Sequence, residues 1–281
     1  MTHLLNLDRF RSAGIVTIGY EILQGRVVDT NSAYLARKLF LMGLDVRSTI
    51  SVSDDLEDII RALKFAVSDM GAELVFTTGG LGPTPDDRTL EAIARFLGVE
   101  LVVNDEALRD IKAKYSRRGV ELTPERLKMA KLPQGAVPLL NPVGIAPGIY
   151  IESTVGERRI AIVSLPGVPR EMEAIFEKYI EPALRKSRRL YVAEGYVRLR
   201  VMESEIAPYI RSVMKRYSGI YIKSHPEGEE LGLPVVRIYT AAYGRDAERA
   251  YEACKAVQEE FISYAKEKGI EVAEHKPCVV H

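Results

Sequence analysis

Between Leu74 and Thr89 the chain reads Leu-Val-Phe-Thr-Thr-Gly-Gly-Leu-Gly-Pro-Thr-Pro-Asp-Asp-Arg-Thr, and this stretch constrains the fold more than any other. Apolar and β-branched residues at its start read as a short buried strand. Three glycines and two prolines then break the chain before a helical pattern begins near Leu90, with Thr89 as the cap. The unit is strand, loop, helix. Glycines without Cβ let backbone N–H groups approach a ligand closely, and a helix start adds partial positive charge, so the loop suits phosphate or another anion. Gly79, Gly80 and Gly82, with Thr78 and Leu81, are candidate binding positions, and Asp86 and Asp87 sit where a carboxylate holds a metal or orients a reacting group. Neither a P-loop nor a dinucleotide fingerprint is present: no Gly-Lys-Ser/Thr follows, and the third glycine is missing.

The surrounding pattern alternates strand with helix. Gly14 to Gly19 reads as a buried strand, Asp29 to Met42 as a helix with Asn31 as its cap, and Leu44 to Val52 as a second strand. A helix opens at Asp54-Asp55 and leads to the central strand at Leu74. That order implies a parallel sheet covered on both faces, with ligands at the carboxyl ends of its strands. Glu21 and Asp54 are therefore candidate site residues, although a helix N-cap would account for Asp54 equally well. Asp105 to Arg118 and Thr123 to Lys131 read as surface helices without chemistry. Asn141-Pro142-Val143-Gly144 forms a second Gly/Pro loop, followed by a hairpin around Gly156-Glu157. Leu165-Pro166-Gly167-Val168-Pro169-Arg170 opens another helix, where Arg170 opposes the helix dipole unless an anion lies close.

After the basic run Arg185 to Arg189 the pattern changes to strands with two helices, a small α+β unit whose topology is like a KH domain but without a Gly-x-x-Gly clamp. The expected division is 13–186 and 187–281. With 39 basic and 39 acidic residues the chain lacks the overall basic field that nonspecific nucleic-acid binding needs. At 281 residues and 47% hydrophobic composition it is long and apolar enough for a large core. No apolar run reaches membrane-spanning length, and two cysteines are too few for a disulfide scaffold, so a soluble protein in a reducing cytoplasm is expected.

Taken together, Thr77 to Thr84 with Asp86, Asp87 and Thr89, the opening Ile18-Gly19-Tyr20-Glu21-Ile22-Leu23 with Gly25, Asp29 and Asn31, the Asn141-Pro142-Val143-Gly144 loop and Leu165 to Met172 closely resemble the CinA family. The first domain is similar to the molybdopterin-binding fold of the MogA, MoaB and MoeA proteins. The resemblance implies a three-layer α/β domain, mostly parallel, with a ligand carrying phosphate or pyrophosphate. It implies binding by Asn31, Thr78, Gly79, Gly80, Leu81, Gly82, Asn141, Pro142, Gly144, Pro166, Gly167 and Arg170. The carboxylates that matter in MogA-like enzymes fall, by motif, on Asp54 and Asp87; chemically, Asp86 or Asp87 would hold a divalent metal ion and Glu21 or Asp54 would position the attacking water in catalysis. CinA-like proteins are associated with metal-dependent hydrolysis of ADP-ribose, so a nucleotide-binding pyrophosphatase is the expectation. The alternatives are a molybdopterin adenylyltransferase-like enzyme and a noncatalytic nucleotide or pterin binder. Asp86 stands where MogA-like proteins usually carry Arg. Bacterial CinA proteins often continue into a domain that deamidates nicotinamide mononucleotide; this chain stops at His281, and that activity is not carried over. A small-molecule partner, no nucleic acid, no membrane and a homo-oligomer are expected.

Overall fold

The computed structural model describes residues 5–187, 190–228 and 233–281. The chain divides into two compact units, one holding the described residues up to Phe40 and from Leu44 to Ser187, the other Leu41–Gly43 and the described residues from Leu190 to His281.

In the first unit, strand β1 (Ser12–Ile18) is buried at every position, as an apolar strand in the middle of a two-sided sheet must be. Short helix α1 (Tyr20–Leu23), helix α2 (Thr30–Leu41) and strand β2 (Asp45–Val52) follow. Helix α3 (Leu56–Lys64) runs into a wider π turn and leads to β3 (Leu74–Thr78) and α4 (Thr89–Leu97). Next come β4 (Leu101–Val103), α5 (Asp105–Arg117), α6 (Pro124–Lys128), β5 (Lys131–Pro133), β6 (Val137–Leu139), β7 (Gly148–Val155) and β8 (Arg158–Leu165). Helices α7 (Pro169–Ile175) and α8 (Glu181–Ser187) close the unit around a second π turn.

The main sheet has the order β2-β1-β3-β8-β7-β6. Its first four strands are parallel, and β7 and β6 are antiparallel. Alternation along β3 shows both faces covered: Val75 belongs to the core built with α3, α4 and α5, whereas Phe76 packs on Phe176 beyond α7. Tyr34 of α2 meets the same Phe176 edge-on. This is the three-layer α/β domain expected from the sequence. Register brings the strand ends level, with Thr17 opposite Thr78, Thr78 opposite Leu165 and Ile18 opposite Val52. The loops that leave β1, β2, β3 and β8 therefore start from one edge.

The second unit comprises β9 (Tyr191–Leu199), α9 (Glu203–Arg216), β10 (Tyr221–Glu227), β11 (Val235–Gly244), α10 (Ala247–Lys268) and β12 (Val272–Val280). Its four strands are antiparallel in the order β10-β11-β9-β12, and Val197, Leu199 and Ile238 pack on Val257 and Phe261 of α10. It is the smaller α+β unit the sequence points to. The last strand is absent from the sequence reading because β12 lies at a sheet edge, almost all of it exposed and with Pro277 inside it, so no apolar alternation marks it. Helix α8 ends at Ser187, within the basic run; Arg188 and Arg189 lie outside the described residues.

β12 also changes the reading of the cysteines. Cys278 is the one buried residue of that strand, and it is bonded to Cys254 on the buried side of α10. The two are too few to form a scaffold, yet they form one staple, so cysteine usage gives no support to a reducing compartment; disulfides also occur in intracellular proteins of hyperthermophiles. The staple closes a loop with a sequence separation of 24. Replacing both cysteines by alanine is expected to lower the unfolding free energy by about 3 kcal/mol in urea titrations. A variant with the wild-type midpoint, or a wild type indifferent to reductant, would contradict this.

Candidate functional site

Three loops are tied at one buried asparagine. Asn31, 7% exposed, donates from Nδ2 to Thr78 Oγ1 at 2.8 Å and to the Gly167 carbonyl at 2.8 Å. Thr78 passes its own hydroxyl hydrogen to the Pro166 carbonyl at 3.0 Å. The residue is not a helix cap: α2 already begins at Thr30, and the Ser32 amide donates to Asp29 Oδ1 at 2.9 Å, which leaves the Asn31 amide group free to join the loops after β3 and β8. Two good hydrogen bonds of this kind contribute roughly 2 kcal/mol together.

The glycine loop is held as tightly. Gly79 has φ +104°, and a Cβ there would press on the backbone carbonyl oxygen of Ile18. Gly80 has φ +66°, and its Cβ would strike Thr89 Oγ1. Thr89 is the first residue of α4 rather than its cap; its hydroxyl donates to the Gly79 carbonyl at 2.8 Å and its amide to the Gly80 carbonyl at 3.2 Å. The first two glycines thus serve chain geometry before any ligand, and a side chain at position 80 damages the loop itself. The Gly79 amide is committed to the Leu165 carbonyl at 3.1 Å. Among the described residues the amides of Gly80, Leu81 and Gly82 carry no hydrogen bond, and these residues line a cleft of about 570 Å³.

The cleft has two kinds of lining. Glu21, Asp54, Asp86 and Asp87 bring carboxylates to it, and Leu81, Tyr115, Met129, Ile145 and Ala146 give it an apolar wall. Among the described residues its one other charged lining residue is Glu171, so every described charge facing the cleft is a carboxylate. Asp54 does not cap α3; the cap is Asp55, which accepts from the Glu57 and Asp58 amides at 2.9 and 3.2 Å. Freed from that task, Asp54 accepts the Tyr20 amide at 2.9 Å and faces the cleft. Burial raises its pKa above the usual aspartate value, and the charges of Glu21 and Asp86 add to the rise. Asp86 is exposed and moves the other way, held below the ordinary range by the Thr84 hydroxyl and its own amide. Asp87 is already used: its Oδ2 accepts from the Thr84 amide at 2.8 Å and hydroxyl at 2.5 Å, which closes the turn.

The other sequence candidates fall into two groups. Pro166 and Gly167 line the cleft, and Thr78 and Asn31 line a smaller cavity beside it. Asn141 is 2% exposed and fully engaged, accepting the Val143 and Gly144 amides on Oδ1 and donating to the Ala146 carbonyl and Glu171 from Nδ2. It shapes the loop that carries Ile145 and Ala146 to the wall. Gly144 is kept small by the carboxylate of Glu171, and Pro142 is exposed away from the lining. Arg170 is exposed on the first turn of α7 and is not among the residues lining the cleft. Tyr115 and Met129 were not apparent from sequence, since both come from stretches that read as plain surface helix.

Among the described residues no three His, Cys, Asp or Glu side chains converge as a metal-holding group. The donor set still fits a hard divalent ion of the magnesium type, which takes one or two carboxylates and completes its shell with water and ligand phosphates.

Comparison with known proteins agrees with this architecture. A family model described as a probable molybdopterin binding domain matches residues 14–186. A Pyrobaculum aerophilum protein is 47% identical over 258 residues, 91% of this chain and 95% of its own length. A Caldivirga maquilingensis protein is 46% identical over 255 residues, covering 90% and 96%. The crystal structure of CinA, a protein of unknown function from Thermoplasma acidophilum, is 43% identical, with a TM-score of 0.55 over 62% of this chain and 98% of that one. The chain belongs to the probable molybdopterin binding domain family and, within it, is CinA-like.

Two measurements test the site as described. Gly80→Ala is expected to lose about 1–3 kcal/mol of stability through strain. Gly25→Ala, with similar φ but open space around it, should lose less; equal losses would contradict the Thr89 contact. Because folding raises the Asp54 pKa, the native state takes up a proton, and stability falls as pH rises through the window above the ordinary value of 3.8. Asp54→Asn removes that penalty, so its melting temperature should gain on the wild type as pH climbs through this window. A difference that is the same at pH 3 and pH 7 would contradict the assignment.

Proposed function

We propose that this cleft binds a nucleoside diphosphate compound of the ADP-ribose class and hydrolyses its diphosphate with the help of a divalent cation. The observation that carries the reading is the run of unpaired amides at Gly80, Leu81 and Gly82, directed by a glycine loop at an open cleft. Successive backbone N–H groups in such a loop form an anion nest. The apolar wall of Leu81, Tyr115, Met129, Ile145 and Ala146 suits a planar base. An all-carboxylate lining repels a bare diphosphate, which supports a requirement for a bridging cation rather than an arginine or lysine clamp.

Asp86, with Glu21, would hold that ion together with the ligand's phosphates; Asp87 is the poorer ligand because one of its oxygens already accepts the Thr84 amide and hydroxyl. When bound, such an ion neutralises phosphate charge and polarises a phosphoryl oxygen. The chain's own residues do the rest. The free amides fix the diphosphate, and the wall orients the base. Asp54, whose burial makes it a stronger base than an ordinary aspartate, takes the proton of the attacking water. The water oxygen bonds to phosphorus, the bridging P–O bond breaks, and the bridging oxygen leaves with the other phosphate.

A second reading follows from the family description: a pterin would occupy the same apolar wall, and the reaction would be adenylyl transfer to molybdopterin. The carboxylate at Asp86 in place of the cation usual in such enzymes weighs against it.

Purified protein incubated with ADP-ribose and magnesium or manganese is expected to release AMP and ribose 5-phosphate. Asp54→Asn and Asp86→Asn should each keep their fold and lose a factor of about a hundred or more in turnover. Near-normal hydrolysis by the folded double variant would remove these carboxylates from the chemistry, whereas an adenylylated pterin formed from ATP would establish the second reading.

A further inference from the structure

At the amino ends of the parallel strands, on the edge of the main sheet opposite the cleft, lies a second hollow of about 420 Å³. Strand β1 alone spans roughly 20 Å between the two edges, so the hollow is no extension of the cleft. Arg9, Arg47, Arg158 and Arg159 line it, and the one described carboxylate among its lining residues is Glu73. Local structure delivers each guanidinium. Arg9 stands in the segment before β1. Arg47 is the extra residue of a β-bulge, skipped where Ala13 pairs with Val46 and Gly14 with Ser48, and bulges re-aim a side chain. Arg158 and Arg159 open β8, which pairs with β7 there but meets β3 only from Ala161 onward, so the two overhang the central strands. Gly71, with φ +70°, leaves the room that Arg158 takes: a Cβ there would lie 3.3 Å from Arg158 Nη1.

Charge in this hollow does not balance from within. Arg9 pairs with Glu152, and Arg47 with Asp45, a solvent-exposed pair that is only weakly held. Glu73 pairs with no arginine among the described residues; its Oε2 accepts the amides of Arg11 and Ser12 instead. Arg158 spends one N–H on the Val67 carbonyl at 3.3 Å, and among the described residues neither it nor Arg159 has a carboxylate partner. Guanidinium groups stay charged at any working pH, so unneutralised positive charge and unused N–H donors converge on one recess. The flat fork of donors on each arginine matches phosphate oxygens, often two at a time. A single phosphate is too small to meet arginines from three chain segments, whereas two or three linked phosphates reach several of them. A recess of this volume admits a small anion and lacks the long track that a nucleic-acid backbone needs.

We propose that this hollow is a second binding site, which takes a compact polyphosphate anion without a metal ion, with Arg158 and Arg159 as its main contacts and Arg9 and Arg47 adding to the field. The two edges of the sheet then sort one class of ligand by its cation. The carboxylate-lined cleft repels a bare diphosphate, while the arginine hollow favours it bare, because bound magnesium cancels the charge that the arginines recognise. The second site stands whether or not the cleft is hydrolytic.

Calorimetric titration of the full chain with inorganic tripolyphosphate in EDTA tests it. Saturable binding at one site per chain is expected, and it should weaken when magnesium replaces EDTA. Arg158→Ala with Arg159→Ala should lower the affinity about tenfold or more, since charge-assisted hydrogen bonds are lost. Arg159→Ala alone, which removes a side chain with no described partner, should cost about fivefold and leave the melting temperature unchanged. Arg245→Ala with Arg249→Ala removes the same charge from exposed positions of the second unit and should bind as the wild type does. No saturable binding, unchanged affinity in both hollow variants, or an equal loss in the charge-matched control would overturn the site. Binding that strengthens with magnesium would put the anion in the cleft and overturn it too. A DNA duplex bound more tightly than tripolyphosphate, and lost in the same variants, would assign these arginines to a nucleic-acid backbone and overturn the small-anion reading.

Discussion

The close passage of Gly79 beneath the carbonyl of Ile18 is the constraint on which the site depends. It puts the loop after β3 directly against the end of β1, and only a residue without Cβ permits it. Gly167 then comes within contact of Gly79, where a Cβ would lie 3.3 Å from the Gly79 Cα, so the loop after β8 closes on the same point. Asn31 and Thr89 lock the assembly from the two helices that flank it, each through hydrogen bonds to loop groups that would otherwise be buried unpaired. Once Gly79 and Thr89 have spent their hydrogen bonds on this knot, the amides of Gly80, Leu81 and Gly82 are what remains for a ligand. The binding surface is the residue of a packing problem already solved.

Electrostatics give the cleft its second property. Carboxylates enter it from the segments that follow β1, β2, β3 and β8, and among the described residues no basic side chain lines it. Burial and the neighbouring charges of Glu21 and Asp86 act together on Asp54, while hydrogen bonding stabilises the charge on Asp86. Two aspartates in one cleft are thereby pushed apart in basicity, the arrangement that separates a proton acceptor from a charge that stays fixed. A ligand that brings its own negative charge has to bring, or recruit, a cation.

Much of this was legible before the structure. Gly, Pro and acidic residues punctuate the chain at Gly79 to Asp87, and alternating strand and helix patterns place Glu21, Asp54 and that loop at one sheet edge. What local pattern could not show was partnership. Asn31 reads as a cap because asparagine often is one; its true partners, Thr78 and Gly167, lie 47 and 136 residues away. Asp54 and Asp55 are indistinguishable as caps until the helix start is seen, and only Asp55 accepts the helix amides. Asn141 looks like a ligand contact and is instead the organiser of its own loop. Tyr115 and Met129 reach the cleft from elements with ordinary surface sequences, and β12 escapes notice because an exposed edge strand has no apolar period.

The account stands or falls on whether the anion sits on the three free amides. Amide chemical shifts of isotope-labelled protein, followed while ADP is titrated in with magnesium, report this residue by residue. The largest shifts should fall on Gly80, Leu81 and Gly82, with Gly79 moving less because its N–H stays bound to Leu165. Saturable binding whose largest shifts lie outside this loop, or none at all, would contradict the assignment of the cleft.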